Sequence, residues 1–130
     1  MKSGQSSAFT LVEIMIVVGI IAILAMIALP AFMRARQRSQ AAMVKNDLRL
    51  VEAATEEYAI ENGKKPGTTI AVSDWTNYVK RDSRLWATGE DVLGNEFGAQ
   101  TVDELPMVPL DTYYELGRVA DDDFWEPFNP

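Results

Sequence analysis

The apolar positions divide the chain into three stretches. Ile14 to Met33 reads IMIVVGIIAILAMIALPAFM, twenty residues with no charged side chain. At 1.5 Å per residue, a helix of that length spans about 30 Å, the thickness of a bilayer's hydrocarbon core. It is apolar on every face, whereas the core helix of a small soluble domain is shorter and striped. Gly19 and Pro30 interrupt the run. Both are tolerated in membrane helices, where Gly19 lets a neighbouring helix come close and Pro30 removes one backbone donor and loosens the turn before it.

Beyond Met33 the pattern narrows to a single stripe. Val44, Leu48, Val51, Thr55 and Tyr58 follow a 4-3-4-3 spacing, which predicts a continuing amphipathic helix with one buried face. Its expected partner is the protein's own C-terminal sheet; a seam for neighbouring helices is the alternative. Asn62-Gly63 ends the helix by offering left-handed backbone geometry, and Pro66-Gly67 prevents its resumption. One helix of about fifty residues is therefore expected, ending at Glu61.

The third stretch carries turn signals at Gly89, Gly94-Asn95, Gly98, Pro106 and Pro109, the mark of short strands and irregular loops. Strands are expected around Glu96–Val102 and Met107–Leu110. Ser73 or Asp74 is placed to cap a short helix through Trp75, Tyr78 and Val79, and Asp111 to cap another through Tyr114 and Arg118. Trp75, Trp86, Phe97, Tyr113, Phe124 and Trp125 supply the bulky apolar area of a small core. The expected fold class is α+β: one long N-terminal helix packed on a small antiparallel sheet with short helices.

Charge sharpens this division. The chain holds 19 acidic and 12 basic side chains, net −7, which argues against nucleic acid as a partner. Up to Lys65 the balance is +2; from Pro66 onward it is −9. Within the long helix the bases come early (Arg34, Arg36, Arg38, Lys45, Arg49) and the acids late (Glu52, Glu56, Glu57, Glu61), the reverse of what a helix dipole prefers. In a staggered stack, the acidic part of one such helix lies beside the basic part of another; alone, the charges are simply solvated. Cysteine and histidine are both absent. That removes thiol nucleophiles, Cys/His zinc sites, disulfides and the usual neutral-pH general base, and with no nucleophile–base pair an enzyme is not expected.

The polar leader MKSGQSSA precedes the apolar run. An ordinary secretory signal has a shorter apolar core and a small-residue cleavage site after it, and nothing of that kind follows Pro30. Lys2 is the only basic side chain before the span, while Arg34, Arg36 and Arg38 follow it closely. A plain positive-inside count therefore puts the C-terminal part in the cytoplasm unless a dedicated targeting signal overrides it.

Phe9-Thr10-Leu11-Val12-Glu13, preceded by a lysine-bearing leader and a small residue and followed by the apolar run with its late proline, resembles the class III signal of type IV prepilins and type II secretion pseudopilins. The resemblance covers residues 1 to about 60. It implies a pilin-like fold in four parts: a prepilin leader, 1–8; a transmembrane and assembly helix half, 9–33; an amphipathic half, 34–62; and a small acidic C-terminal domain, 63–130. It also implies cutting by a prepilin peptidase between Ala8 and Phe9, usually with methylation of the new amine. The family generally has glycine where Ala8 stands; alanine is also small enough for a narrow protease pocket.

Glu13 has a physical reading of its own. A carboxylate at the edge of a bilayer costs about a few kcal/mol unless it is neutralised or held at the interface. By resemblance, its partner is the amine of Phe9, on its own helix or on a neighbouring subunit, and that pairing sets subunit register. The plainer alternative is a helix-start acid favoured by the macrodipole. Gly19 and Pro30 join Glu13 as expected assembly residues.

Asp91-Val92-Leu93-Gly94-Asn95-Glu96-Phe97-Gly98 resembles the D-x-x-G-N-x-aromatic turn of major pseudopilins. Gly94-Asn95 suits a tight reversal in which Asp91 accepts backbone hydrogen bonds. By the same resemblance, C-terminal loops hold calcium, and Asp121, Asp122 and Asp123 offer oxygen ligands as a weak candidate site. Consecutive residues do not point the same way and EF-hand spacing is absent, so a solvated acidic loop is the default; no cofactor is otherwise expected.

The resemblance as a whole implies a structural subunit of a pseudopilus or type IV pilus-like filament serving type II secretion. Its implied partners are identical or related pilin-like subunits, the prepilin peptidase and an inner-membrane assembly platform. The subunit would sit single-pass in the inner membrane before assembly, its C-terminal domain periplasmic or extracellular. The alternative is an uncleaved single-pass anchor carrying a small acidic binding domain.

Overall fold

In the computed structural model, which describes residues 7–130, α1 runs unbroken from Leu11 to Glu61 and passes through Pro30. The first part of the leader, Lys2 included, lies outside the described residues. The chain divides into two compact units, Met1–Ala35 and Arg36–Pro130. The first is the apolar part of α1, whose side chains are exposed throughout. The second contains the rest of α1 and every shorter element.

The end of α1 follows from Gly63, which takes a φ of 59°. Lys64 N–H donates to Ala59 O at 2.9 Å and Gly63 N–H to Ile60 O at 3.4 Å, the paired closing bonds of a Schellman cap. Pro66-Gly67 then turns the chain back, with Thr68 N–H on Lys65 O at 3.1 Å.

The predicted stripe is buried. Val44, Leu48 and Val51 have no exposed surface, Thr55 is buried, and Tyr58 is half-buried. The Thr55 hydroxyl donates to Val51 O at 2.8 Å, so a polar atom on an apolar stripe stays satisfied without a distant partner. These side chains share one core with Ile70, Trp75, Leu85, Phe97, Val102, Val108, Leu116, Ala120, Trp125 and Phe128. Burying each Val or Leu contributes about 1.5–3 kcal/mol.

The sheet against this stripe is much smaller than expected. β1 (Thr69–Ile70) pairs antiparallel with β2 (Gln100–Thr101), Thr69 opposite Thr101 and Ile70 opposite Gln100. Gly67 N–H on Val102 O and Val102 N–H on Thr68 O prolong the contact. Of the segment Glu96–Val102, only Gln100–Thr101 forms a strand, with an isolated bridge between Glu90 and Glu96. Met107–Leu110 is not a strand. Pro106 and Pro109 cannot donate to a ladder, Val108 N–H bonds instead to Phe128 O at 2.9 Å, and Leu110 already opens a helix.

Short helices fill the remaining space. α2 (Val72–Trp75) starts one residue before Ser73, because Asp74 reaches back to accept from Ala71 N–H at 3.3 Å; a 3-10 turn follows at Thr76–Tyr78. α3 (Arg84–Thr88) is capped by Ser83 Oγ, which accepts from Trp86 N–H at 3.2 Å. It closes at Gly89, where φ is 70° and a Cβ would stand 2.7 Å from Val72 Cγ1. α4 (Leu110–Leu116) begins after Pro109, with Asp111 in its first turn rather than at its cap. α5 (Asp122–Trp125) is capped by Asp121. Of the aromatics expected inside, Trp75, Phe97 and Trp125 are buried and Tyr113 and Phe124 half-buried. Trp86 is 38% exposed, because α3 spends its inward position on Leu85.

Candidate processing and assembly site

Phe9 through Glu13 sit where an exposed, irregular segment becomes a helix. Residues 7–10 have no regular structure and are exposed, Phe9 at 81%. Ala8–Phe9 is thus accessible backbone just ahead of the first helical turn. Thr10 is the N-cap: Glu13 N–H donates to Thr10 Oγ1 at 3.2 Å, and Thr10 N–H donates to Glu13 Oε2 at 2.8 Å. This reciprocal pair is a capping box, which satisfies two of the amides that a helix start leaves unpaired. The Glu13 carboxylate also stands in the first turn of a 51-residue helix, where the macrodipole favours an anion.

The partner that the structure gives Glu13 is therefore a backbone amide of its own chain. In the chain as it stands the Phe9 nitrogen is a peptide amide, and an amine arises there only on cleavage. The capping box was readable as Thr10-x-x-Glu13 before an apolar run, a signal the family pattern overshadowed.

The span that follows offers only apolar surface. By length and composition α1 is able to cross a membrane, and none of its most apolar stretch is buried inside the protein. Glu13, Gly19 and Pro30 do not converge; they lie along one helix over about 25 Å. A Cβ at Gly19 would meet nothing within 4 Å, so close approach of another helix is sterically open there.

In the C-terminal unit, the Asp91–Gly98 turn is a built polar centre. Asp91 has no exposed surface. Its Oδ1 accepts from Leu93 N–H at 2.8 Å and Asn95 N–H at 3.0 Å, and its Oδ2 accepts from the Thr112 hydroxyl. Asn95 Nδ2 in turn donates to Thr112 Oγ1 at 2.8 Å. The turn thereby fastens itself to α4 through a buried, fully partnered carboxylate.

Asp47 and Arg84 form an ion pair that the sequence did not announce. Arg84 Nε also donates to Glu90 O at 3.1 Å, joining α1, α3 and the approach to the Asp91 turn. Burial pushes the Asp47 carboxyl above its ordinary value of 3.8; Arg84 opposes this and the Asp91 charge adds to it.

The aspartate run does not gather as a calcium site. Asp121 is committed to capping α5, its Oδ1 accepting from Phe124 N–H at 3.1 Å. Asp122 accepts from the Tyr113 hydroxyl, which pushes the Tyr113 phenol up. Among the described residues no group of three or more Asp, Glu, His or Cys side chains is arranged to hold a metal ion.

Comparison with known proteins finds similarity to type II secretion core proteins and to a fimbrial protein. Residues 4–29 match the family model described as the prokaryotic N-terminal methylation motif. The chain is 37% identical over 68 residues to type II secretion system core protein G of Pseudomonas aeruginosa, covering 52% of this chain and 48% of that one. It is 31% identical over 68 residues to the protein of the same name from Aeromonas hydrophila, with the same coverage. Fimbrial protein Q of Moraxella bovis is 38% identical over 92 residues, 71% of this chain and 55% of that one. The chain thus spans about half the length of the curated relatives it matches. No solved structure matches it significantly.

Proposed function

From a chain that carries the prokaryotic N-terminal methylation motif and is homologous to type II secretion core protein G and to fimbrial protein Q, we propose a structural subunit of a pseudopilus or type IV pilus-like filament that serves protein secretion and performs no chemistry of its own. The observation that carries this reading is the join at Glu13: a capped, accessible helix start leading directly into a span whose apolar side chains all face outward. Such a surface needs lipid before assembly and the helices of other subunits after it.

In this reading a prepilin peptidase cuts between Ala8 and Phe9. The subunit waits single-pass in the inner membrane with its C-terminal domain on the periplasmic side, and an assembly platform moves α1 from lipid into a helical bundle. The freed Phe9 amine then competes with the Thr10 amide for the Glu13 carboxylate, and Gly19 and Pro30 lie on the surface that neighbouring helices cover. Mass spectrometry of the purified protein is expected to find Phe9 as the first residue, methylated on its amine. An intact Met1-Lys2 start in cells with active peptidase overturns the proposal. The positive-inside count at Arg34, Arg36 and Arg38 favours a second reading: an uncleaved anchor holding a small acidic domain at the cytoplasmic face, which that same intact start supports.

A further inference from the structure

The Arg36–Pro130 unit buries one side of α1 and leaves the other bare. On the bare side Ala53, Glu56, Glu57, Ile60 and Glu61 line a shallow groove, and Ile60 is 82% exposed, more than any other large apolar side chain of that unit. About four to five helical turns beyond the groove's far end from Glu61, Arg36 and Arg38 are also exposed. The ion pair Asp47–Arg84 is the only one among the described residues, so among them neither the arginines nor Glu56 and Glu57 are paired with an opposite charge. Acids without a base and bases without an acid therefore stand at two heights on one helix.

We propose that the groove around Ala53, Glu56, Glu57 and Ile60 seats the Arg36–Arg38 segment of a second, parallel copy of this chain, displaced by about 27–32 Å along the helix axis. The inference rests on the filament reading and adds to it which surfaces meet and at what offset. The offset is the rise of α1 between Arg36 or Arg38 and Glu56 or Glu57. Packing in register instead sets like charges against each other at both heights, which an interface resists. Displacement replaces both repulsions with attraction. Arginine suits the seat because its aliphatic stem covers Ile60 while the guanidinium reaches the carboxylates. Because the two patches differ and sit at different heights, parallel copies join head to tail, and such an interface propagates rather than closes.

The absence of cysteine allows a clean crosslinking test in the full chain in its own membrane. Ser39→Cys combined with Ile60→Cys leaves every charge in place and separates the two thiols by about 32 Å along the helix. Oxidation is expected to give a ladder of dimers, trimers and larger species from the double variant and monomer from either single variant. Adding Arg36→Glu and Arg38→Glu reduces the ladder by about tenfold or more; further adding Glu56→Lys and Glu57→Lys restores it, and Arg36→Lys with Arg38→Lys retains it. Dimers from Ser39→Cys alone indicate in-register packing and overturn the proposal. So do dimers without larger species from the double variant, the mark of a closed antiparallel pair, and a ladder indifferent to charge reversal. Filaments that start at Phe9 but yield no ladder overturn this seat and leave the filament reading standing; a chain that keeps Met1 and forms no filaments overturns both.

Discussion

The two parts of α1 are one helix with opposite relations to water. From Leu11 to Met33 its apolar side chains are exposed, Met26 at 77%. From Ala41 to Ala59 one apolar stripe is buried against residues that follow between Ile70 and Phe128, while Met43 and Leu50 stay on the exposed side. Backbone geometry is the same in both. What differs is the period of the side chains: an all-round apolar surface cannot be covered by one small domain, whereas a stripe can. The first part thus leaves its apolar surface uncovered, and the second carries its environment with it.

The largest expected effect that sharpens this contrast comes from matched truncations. Leu48→Ala opens a cavity beneath the stripe and is expected to destabilise the Arg36–Pro130 unit by about 2–5 kcal/mol, read as a lower thermal or urea midpoint of the full chain in detergent. Leu24→Ala, in the exposed part, is expected to leave that transition within about 0.5 kcal/mol. Equal losses from both substitutions would break the comparison, since they would mean the apolar part is folded against the rest.

A smaller effect is expected at the helix start. Glu13→Ala removes one arm of the capping box, worth about 1 kcal/mol locally. It is expected to leave membrane insertion and the C-terminal unit's unfolding unchanged while lowering filament yield in sheared fractions. Unchanged yield would reject a pairing role for the carboxylate and leave it a cap alone.

The smallest effect lies at Asp47, where α1 meets α3. Its folded pKa is raised above the unfolded value, chiefly by burial. The native state therefore binds that proton more tightly, so stability attributable to Asp47 is present below the unfolded value of 3.8 and is lost as pH rises through the raised value. Asp47→Asn removes this dependence. The difference in unfolding free energy, wild type minus variant, is expected to fall as pH rises across that window, by no more than about 1 kcal/mol because Arg84 is 40% exposed and solvent screens the pair. Urea titrations between mildly acidic and neutral pH measure it; a rising difference would show that Arg84 outweighs burial.

Much of the architecture was legible before any coordinates. The uncharged run, the 4-3-4-3 stripe and the Asn62-Gly63 stop all depend on local spacing and backbone sterics, and α1 ends at Glu61 where those signals put it. The Asp91 turn was legible for the same reason: its hydrogen bonds run over four residues. Thr10-x-x-Glu13 was equally local. Its capping role was hidden because the family pattern assigns the same carboxylate to an amine.

What the sequence determined alone is the long helix, its division into an all-round and a one-sided apolar surface, and the segregation of its charges, since these need only period and order along one element. The tertiary structure decided what lies against the stripe. Two-residue strands, the capped helices α3 and α5, the exposure of Trp86 and the Asp47–Arg84 pair depend on residues 37 or more positions apart or on segments too short to hold a shape alone. A four- or five-residue helix lacks the length to repay nucleation by itself; it exists here because the core already held by Val44, Leu48 and Val51 gives it a surface to cap and cover.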